Sequence, residues 1–172
     1  RRLLAHLFSW DADLCRRCSR LQRQHALTAL LRTVSRLGDG VFWYALMAVL
    51  PIVYGGAGLR ASLHMALVGI GCLLVYRWLK ARTARPRPAG VIPDVQLAMH
   101  ALDEFSFPSG HTLHAVAFTL VATYHFPHLL MLLAPLCGLI ALSRPALGLH
   151  YPSDVLAGAL LGACIAGGSL VI

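Results

Sequence analysis

Charge is missing from long stretches of this chain. Val41 to Leu59 is nineteen residues without an Asp, Glu, Lys or Arg, and Ala61 to Leu79 carries only Arg77 near its end. Thr112 to Leu142 and Val155 to Ile172 carry none. About 20 apolar residues in a helix cross the hydrocarbon of a bilayer, so the first two stretches predict two crossings; Gly55, Gly56 and Gly58 close the first, and Arg60 marks the turn. The uncharged run Thr112 to Ser143, at 32 residues, is too long for one crossing and predicts two tilted helices that turn at "HFPH", around Pro127. Val155 to Ile172 is the fifth, and its "GALLGACIAGG" supplies the small residues that close helix packing in lipid requires.

The first 37 residues follow another pattern. Leu27, Leu30, Leu31, Val34 and Leu37 fall at helical spacing, while Arg23, Arg32 and Arg36 take other positions. Eight arginines precede residue 37. Such a segment predicts a helix in the headgroup region, apolar face down and arginines reaching for phosphates. The expected fold is all-α: a polytopic membrane bundle of about five transmembrane helices plus an N-terminal amphipathic interfacial helix. Residues 1–37 form the interfacial segment and residues 38–172 the transmembrane domain.

Composition agrees. Of 172 residues 58% are hydrophobic and 13% charged, against about 25% charged in soluble domains. Five cysteines are an odd number, and Cys72, Cys137 and Cys164 fall in crossings, so no disulfide framework is expected. Cys15 and Cys18 form a C-x-x-C, but neighbours three apart on a helix simply share a face. The formal charge of +8 comes without a basic stripe interleaved with aromatics, which argues against a nucleic-acid partner and for a membrane surface or an anionic substrate. "RRLLAHLFSW" lacks the apolar stretch and cleavage site of a signal peptide.

Ionisable residues beside membrane spans are functional candidates by default, and here they cluster in three islands: "KARTARPRP" from Lys80, "FPSGH" from Phe107 and "SRPALGLHYPSD" from Ser143. With five crossings and short turns, all three fall on one membrane face by parity. Lys80, Arg87 and Arg144 are fixed cations, and guanidinium forks match phosphate oxygens. "PSGH" leads into a helix, whose free N–H groups favour an anion; Ser109 adds a hydroxyl and Gly110 permits close approach. His150 and Asp154 are four apart, with Pro152 suited to a first helical turn. The carboxylate is expected to hold one imidazole nitrogen and leave the other free as a nucleophile. His111, from the opposite helix, is free to protonate a leaving oxygen. No carboxylate cluster offers to hold magnesium, so neither a metal nor another cofactor is expected, and positive side chains would stabilise charge at phosphorus.

In this combination the chain resembles the type 2 phosphatidic acid phosphatase superfamily. That family carries K-x6-R-P, P-S-G-H and S-R-x5-H-x3-D, here Lys80 to Arg87-Pro88, Pro108-Ser109-Gly110-His111, and Ser143-Arg144 to His150 and Asp154, with every spacing met. The resemblance covers Gly38 to the C-terminus. It implies an integral membrane phosphatase for a lipid phosphate: phosphatidic acid, phosphatidylglycerophosphate or a polyprenyl diphosphate. Lys80, Arg87, Ser109, Gly110 and Arg144 would hold the phosphate. His150 would become a phosphohistidine, His111 would protonate the leaving group, Asp154 would orient His150, and no metal would be used. Relatives with six spans carry one more before the amphipathic stretch, and this sequence shows none.

Two other readings stand beside it. A non-catalytic lipid-binding or scaffolding protein of the same fold would have no need of intact His111, His150 and Asp154. A phosphatase for a soluble phosphomonoester would not need its site at headgroup level. His6, His25, His64, His125 and His128 are expected to pack, His114 to border the pocket, and Asp94, His100, Asp103 and Glu104 to shape its entrance. The chain is expected in a bacterial inner membrane. All fifteen cations but Arg60 fall on the active-site face or in the N-terminal segment, which makes that face cytoplasmic by the positive-inside rule. Family habit places it outside, as would a further span upstream of Arg1. Oligomeric state and headgroup preference stay open.

Overall fold

The computed structural model describes residues 2–101 and 103–171, with the side chains of residues 2–7, His6 among them, outside the description. Among the described residues the chain is helical, without strands. The helices are α1 (Arg2–Ser19), α2 (His25–Leu37), α3 (Val41–Thr83), α4 (Gly110–His125), α5 (Leu130–Ala146) and α6 (Pro152–Ser169).

Helix α3 makes two of the expected crossings. It bends back at Gly55, where φ 55° and ψ −130° are open to glycine but strained for any residue with a Cβ. The limbs close on each other at Gly58, where an added Cβ would lie 2.0 Å from the Leu50 carbonyl oxygen. Ser62 Oγ donates to the Met47 carbonyl across the same seam at 2.7 Å. The reversal thus comes before the expected turn, and Arg60 rides on the second limb. The bend at Phe126–Leu129 separates α4 from α5 where Pro127 predicts it.

The α3 hairpin (residues 41–90, including the short turn after it) and residues 127–146 each meet the length and apolarity of a membrane span. Around the bundle Ile52, Leu67, Met131 and Leu160 stand exposed, the arrangement of a surface that faces lipid. Inside it Trp43, Met65, Leu113, Val121, Leu133 and Ile140 are buried.

The amphipathic segment is divided in two by a 3-10 turn at Arg20–Arg23. Leu31 and Val34 on α2 are buried, and Asp11 and Cys15 on α1 are buried. These faces rest on the rim of the bundle, and the arginines from Arg16 to Arg36 are exposed.

The most extensive contact between two helices among the described residues joins α4 to α6. An added Cβ at Gly158 would lie 2.6 Å from the Ser109 carbonyl oxygen, and one at Gly162 would lie 2.3 Å from that of Leu113. The Ser109 N–H donates to the Asp154 carbonyl at 3.1 Å, so the starts of the two helices are also tied. Gly162→Val should cost about 1–3 kcal/mol through overpacking, read as a lower thermal midpoint in detergent. Gly138→Val, whose Cβ meets nothing within 4 Å, should leave the midpoint within experimental error.

Candidate active site

At the end of the bundle where α3 stops and α4 and α6 begin lies a cavity of about 540 Å³. Lys80, Arg87, Gly110, His111, Arg144 and His150 all line it. The three islands therefore meet.

His150 sits in the short α5–α6 connection and is 2% exposed. Its Nδ1 donates to the Ser106 carbonyl at 2.6 Å, which leaves Nε2 unprotonated, 3.5 Å from Arg87 Nη1. Burial, then the charges of Arg144, Arg87 and Lys80, hold the His150 pKa well below the ordinary histidine value. The ring is neutral, as a nucleophile must be.

Asp154 departs from its expected hydrogen bond. Its Oδ2 lies 3.7 Å from His150 Nδ1 and accepts instead from the Tyr151 N–H at 2.9 Å. Its Oδ1 accepts from Arg85 at 2.5 Å. The reason is local: α6 begins at Pro152, and the carboxylate of its third residue folds back onto the free N–H at the helix start. A backbone oxygen takes the orienting place assigned to the side chain.

Arg85, passed over between Lys80 and Arg87 in the sequence, is the hub of that corner. It binds Asp154, Ser153 Oγ at 2.9 Å and Asp11 Oδ2 at 2.8 Å, and its guanidinium lies 3.8 Å from the centre of the Tyr151 ring. Arg87 donates to the Leu149 carbonyl at 2.5 Å and to the Asp103 carbonyl at 2.9 Å.

Asp103 sits on the cations themselves. Its carboxylate pairs with Lys80, accepts from Arg87 Nη2 at 2.6 Å and from the Tyr76 hydroxyl at 2.5 Å. Burial alone would raise its pKa, but Lys80, Tyr76 and Arg87 together hold it below the ordinary carboxylate value. Arg144 is 3% exposed, gives one nitrogen to Ser35 Oγ, and its Nε has no protein acceptor among the described residues.

His111, in the first turn of α4, shares a hydrogen bond with Asp39 through Nε2. Ser109 is fully buried, does not line the cavity, and shares a hydrogen bond with Thr112 Oγ1 at 3.0 Å. Gly110 does line it, and a Cβ there would meet the Tyr76 ring at 2.8 Å. His114 borders the cavity, whereas His64 and His125 bond each other at 3.1 Å and His128 bonds Tyr54 at 2.8 Å. Among the described residues no group of three or more His, Cys, Asp or Glu is placed to hold a metal ion.

The cavity wall also carries apolar side chains: Trp43, Met47, Ile70, Leu73 and Phe118. A buried neutral imidazole, a second imidazole from another helix, three cations and an apolar wall can bind an anionic headgroup with a hydrocarbon tail and transfer its phosphoryl group.

Comparison with known proteins points the same way. The chain is 28% identical over 152 residues to decaprenylphosphoryl-5-phosphoribose phosphatase of Mycobacterium tuberculosis, covering 86% of this chain and 81% of that protein. It is 30% identical over 159 residues to phosphatidylglycerophosphatase B of Bacillus subtilis, covering 83% and 73%. The crystal structure of a transmembrane PAP2 type phosphatidylglycerolphosphate phosphatase from Bacillus subtilis superimposes with a TM-score of 0.81 at 26% identity, over 96% of this chain and 85% of that one. Residues 57–172, which carry all three islands, match the PAP2 superfamily, and the chain belongs to that superfamily.

Proposed function

We propose that this membrane enzyme hydrolyses the phosphate monoester or diphosphate of a lipid through a phosphohistidine on His150. The observation that carries this reading is the meeting of His111 and His150, from separate elements, in one cavity lined by cations and by apolar side chains. In the first step His150 Nε2 attacks phosphorus. The P–N bond forms as the P–O bond to the lipid breaks, and His111 gives its proton to the departing oxygen. In the second step water attacks phosphorus, His111 takes a proton from it, and the P–N bond breaks to release inorganic phosphate.

Lys80, Arg87 and Arg144 stabilise the charge that gathers on the phosphoryl oxygens, together with the N–H groups at the start of α4 around Gly110. Ser109 supports that turn from behind. The Ser106 carbonyl fixes the His150 tautomer, and Asp154, at 3.7 Å, balances the positive ring of the phosphohistidine. The apolar wall takes the first carbons of the lipid chain. Phosphatidic acid, phosphatidylglycerophosphate and polyprenyl diphosphate share the end group this cavity reads. A soluble phosphomonoester would leave the wall unused.

His150→Ala should lower phosphate release from dioleoyl phosphatidic acid in detergent micelles by at least about 1,000-fold, while a chelator should leave the wild-type rate unchanged. Full activity in the variant would return the chain to a non-catalytic role.

The buried neutral His150 also ties stability to pH. Its folded pKa lies below its unfolded value, so its contribution is fully present above about pH 6.5 and is lost as pH falls. Thermal midpoints in detergent should therefore drop from pH 7.5 to 5.5, by the equivalent of up to ~1.4 kcal/mol per pH unit from this group, and drop less in His150→Gln.

The cation asymmetry favours a site on the cytoplasmic face. Arg17 is exposed on α1, and Arg17→Cys should resist a membrane-impermeant thiol reagent in intact cells and react after permeabilisation. Ready labelling of intact cells would place the site outside.

A further inference from the structure

The motif-bearing islands do not complete the cavity. A fourth segment, the end of α2 and the turn into α3, closes it, and it lies outside the residues that match the family. "SRLGDG", Ser35 to Gly40, reads in sequence as a helix end and a turn. In the structure it supplies three contacts to site residues. The Ser35 hydroxyl receives Arg144. Gly38 leaves room for the His111 ring, because a Cβ there would lie 3.2 Å from Cδ2. The Asp39 carboxylate meets His111 Nε2 and itself lines the cavity.

This contact occupies one edge of the imidazole. Nε2 and Cδ2 form one edge of the ring, and that edge rests on Asp39 and Gly38. The opposite edge carries Nδ1. A carboxylate on Nε2 stabilises the doubly protonated ring, in which both nitrogens carry hydrogen. Asp39 is the partner that opposes burial and the Arg144 charge, both of which disfavour the charged ring. Gly40, at φ 121°, lets the chain turn directly into α3 with Asp39 held in this position.

We propose that Asp39 is a positioning residue for the leaving-group proton: it holds the His111 imidazolium by Nε2 so that Nδ1–H faces the oxygen that departs. The proton passes from Nδ1 to that oxygen as the P–O bond breaks, and the neutral ring then regains a proton from the attacking water. The inference rests on His111 being the acid of the proposed reaction. Asp39, Arg144 and His114 are the charged or titratable groups with the most direct effect on this ring. Lys80, Arg87, Asp103 and His150 face it across the cavity.

The test compares two leaving groups on one preparation. A lipid alkyl phosphate, dioleoyl phosphatidic acid, expels an alkoxide that needs a proton. An aryl phosphate, 4-nitrophenyl phosphate, expels a phenolate that needs none. The ratio of the two rates is independent of how much of the sample is folded, so a destabilised variant still reports. Acid catalysis contributes about 100- to 10,000-fold, and Asp39→Asn should lower the alkyl-to-aryl rate ratio at least about tenfold of that. It should also move the alkaline limb of the alkyl profile to lower pH.

His111→Gln should lower the same ratio further. If His111→Gln leaves the ratio unchanged, the assignment of His111 as the acid falls, and Asp39 with it. If His111→Gln lowers the ratio and Asp39→Asn does not, the acid stands and the role of Asp39 is overturned. Equal losses on both substrates in Asp39→Asn would likewise overturn it, reducing Asp39 to a structural contact.

Discussion

Lys80, Arg87 and Arg144 converge on a single cavity at the edge of an apolar bundle, and like charges brought together out of bulk water repel strongly. Much of the surrounding structure answers that repulsion. Asp103 bridges Lys80 and Arg87, backbone carbonyls of Leu149 and Asp103 take further Arg87 nitrogens, and Ser35 takes one from Arg144. What remains uncompensated is instructive: Arg144 keeps Nε without a protein acceptor among the described residues. Such a donor set suits a ligand with several oxygens and two negative charges. Burial and the same field keep His150 neutral, so the cations that suit an anion also favour an unprotonated imidazole beside it.

The two histidines lie on elements whose relative position is set by backbone, not by side chains. Gly158 and Gly162 let α6 approach the carbonyls of Ser109 and Leu113, and the Ser109 N–H bonds the Asp154 carbonyl. Since His111 follows Ser109 by two residues and His150 precedes Asp154 by four, the register of these helices is also the register of the site.

The spans and the three islands were legible in the sequence because apolar runs and fixed motif spacings are local properties. The bend at Gly55 was less so, since Gly55, Gly56 and Gly58 look equally able to make it, and only the closure of Gly58 on Leu50 selects one. The site's partner choices were harder still. Asp154 is four residues from His150, as an orienting carboxylate should be, yet the helix start and Arg85 claim its oxygens. The group that does receive Nδ1 is the backbone oxygen of Ser106, which leaves no side-chain signature. Asp39 and Ser35 belong to a segment whose pattern announces only amphipathic helix and turn, and their contacts to His111 on α4 and Arg144 on α5 appear only in the folded chain.

The glycine seam between α4 and α6 also decides on which flank α4 can yield. Two helices interlocked main chain to main chain have no slack between them, so that flank of the bundle acts as a rigid hinge plate. On the other flank Gly69 faces only the tip of the Phe118 ring, with an added Cβ 2.9 Å from Cζ. A ring can swing where a carbonyl cannot. Any give around α4 therefore lies on its α3 side, at Phe118.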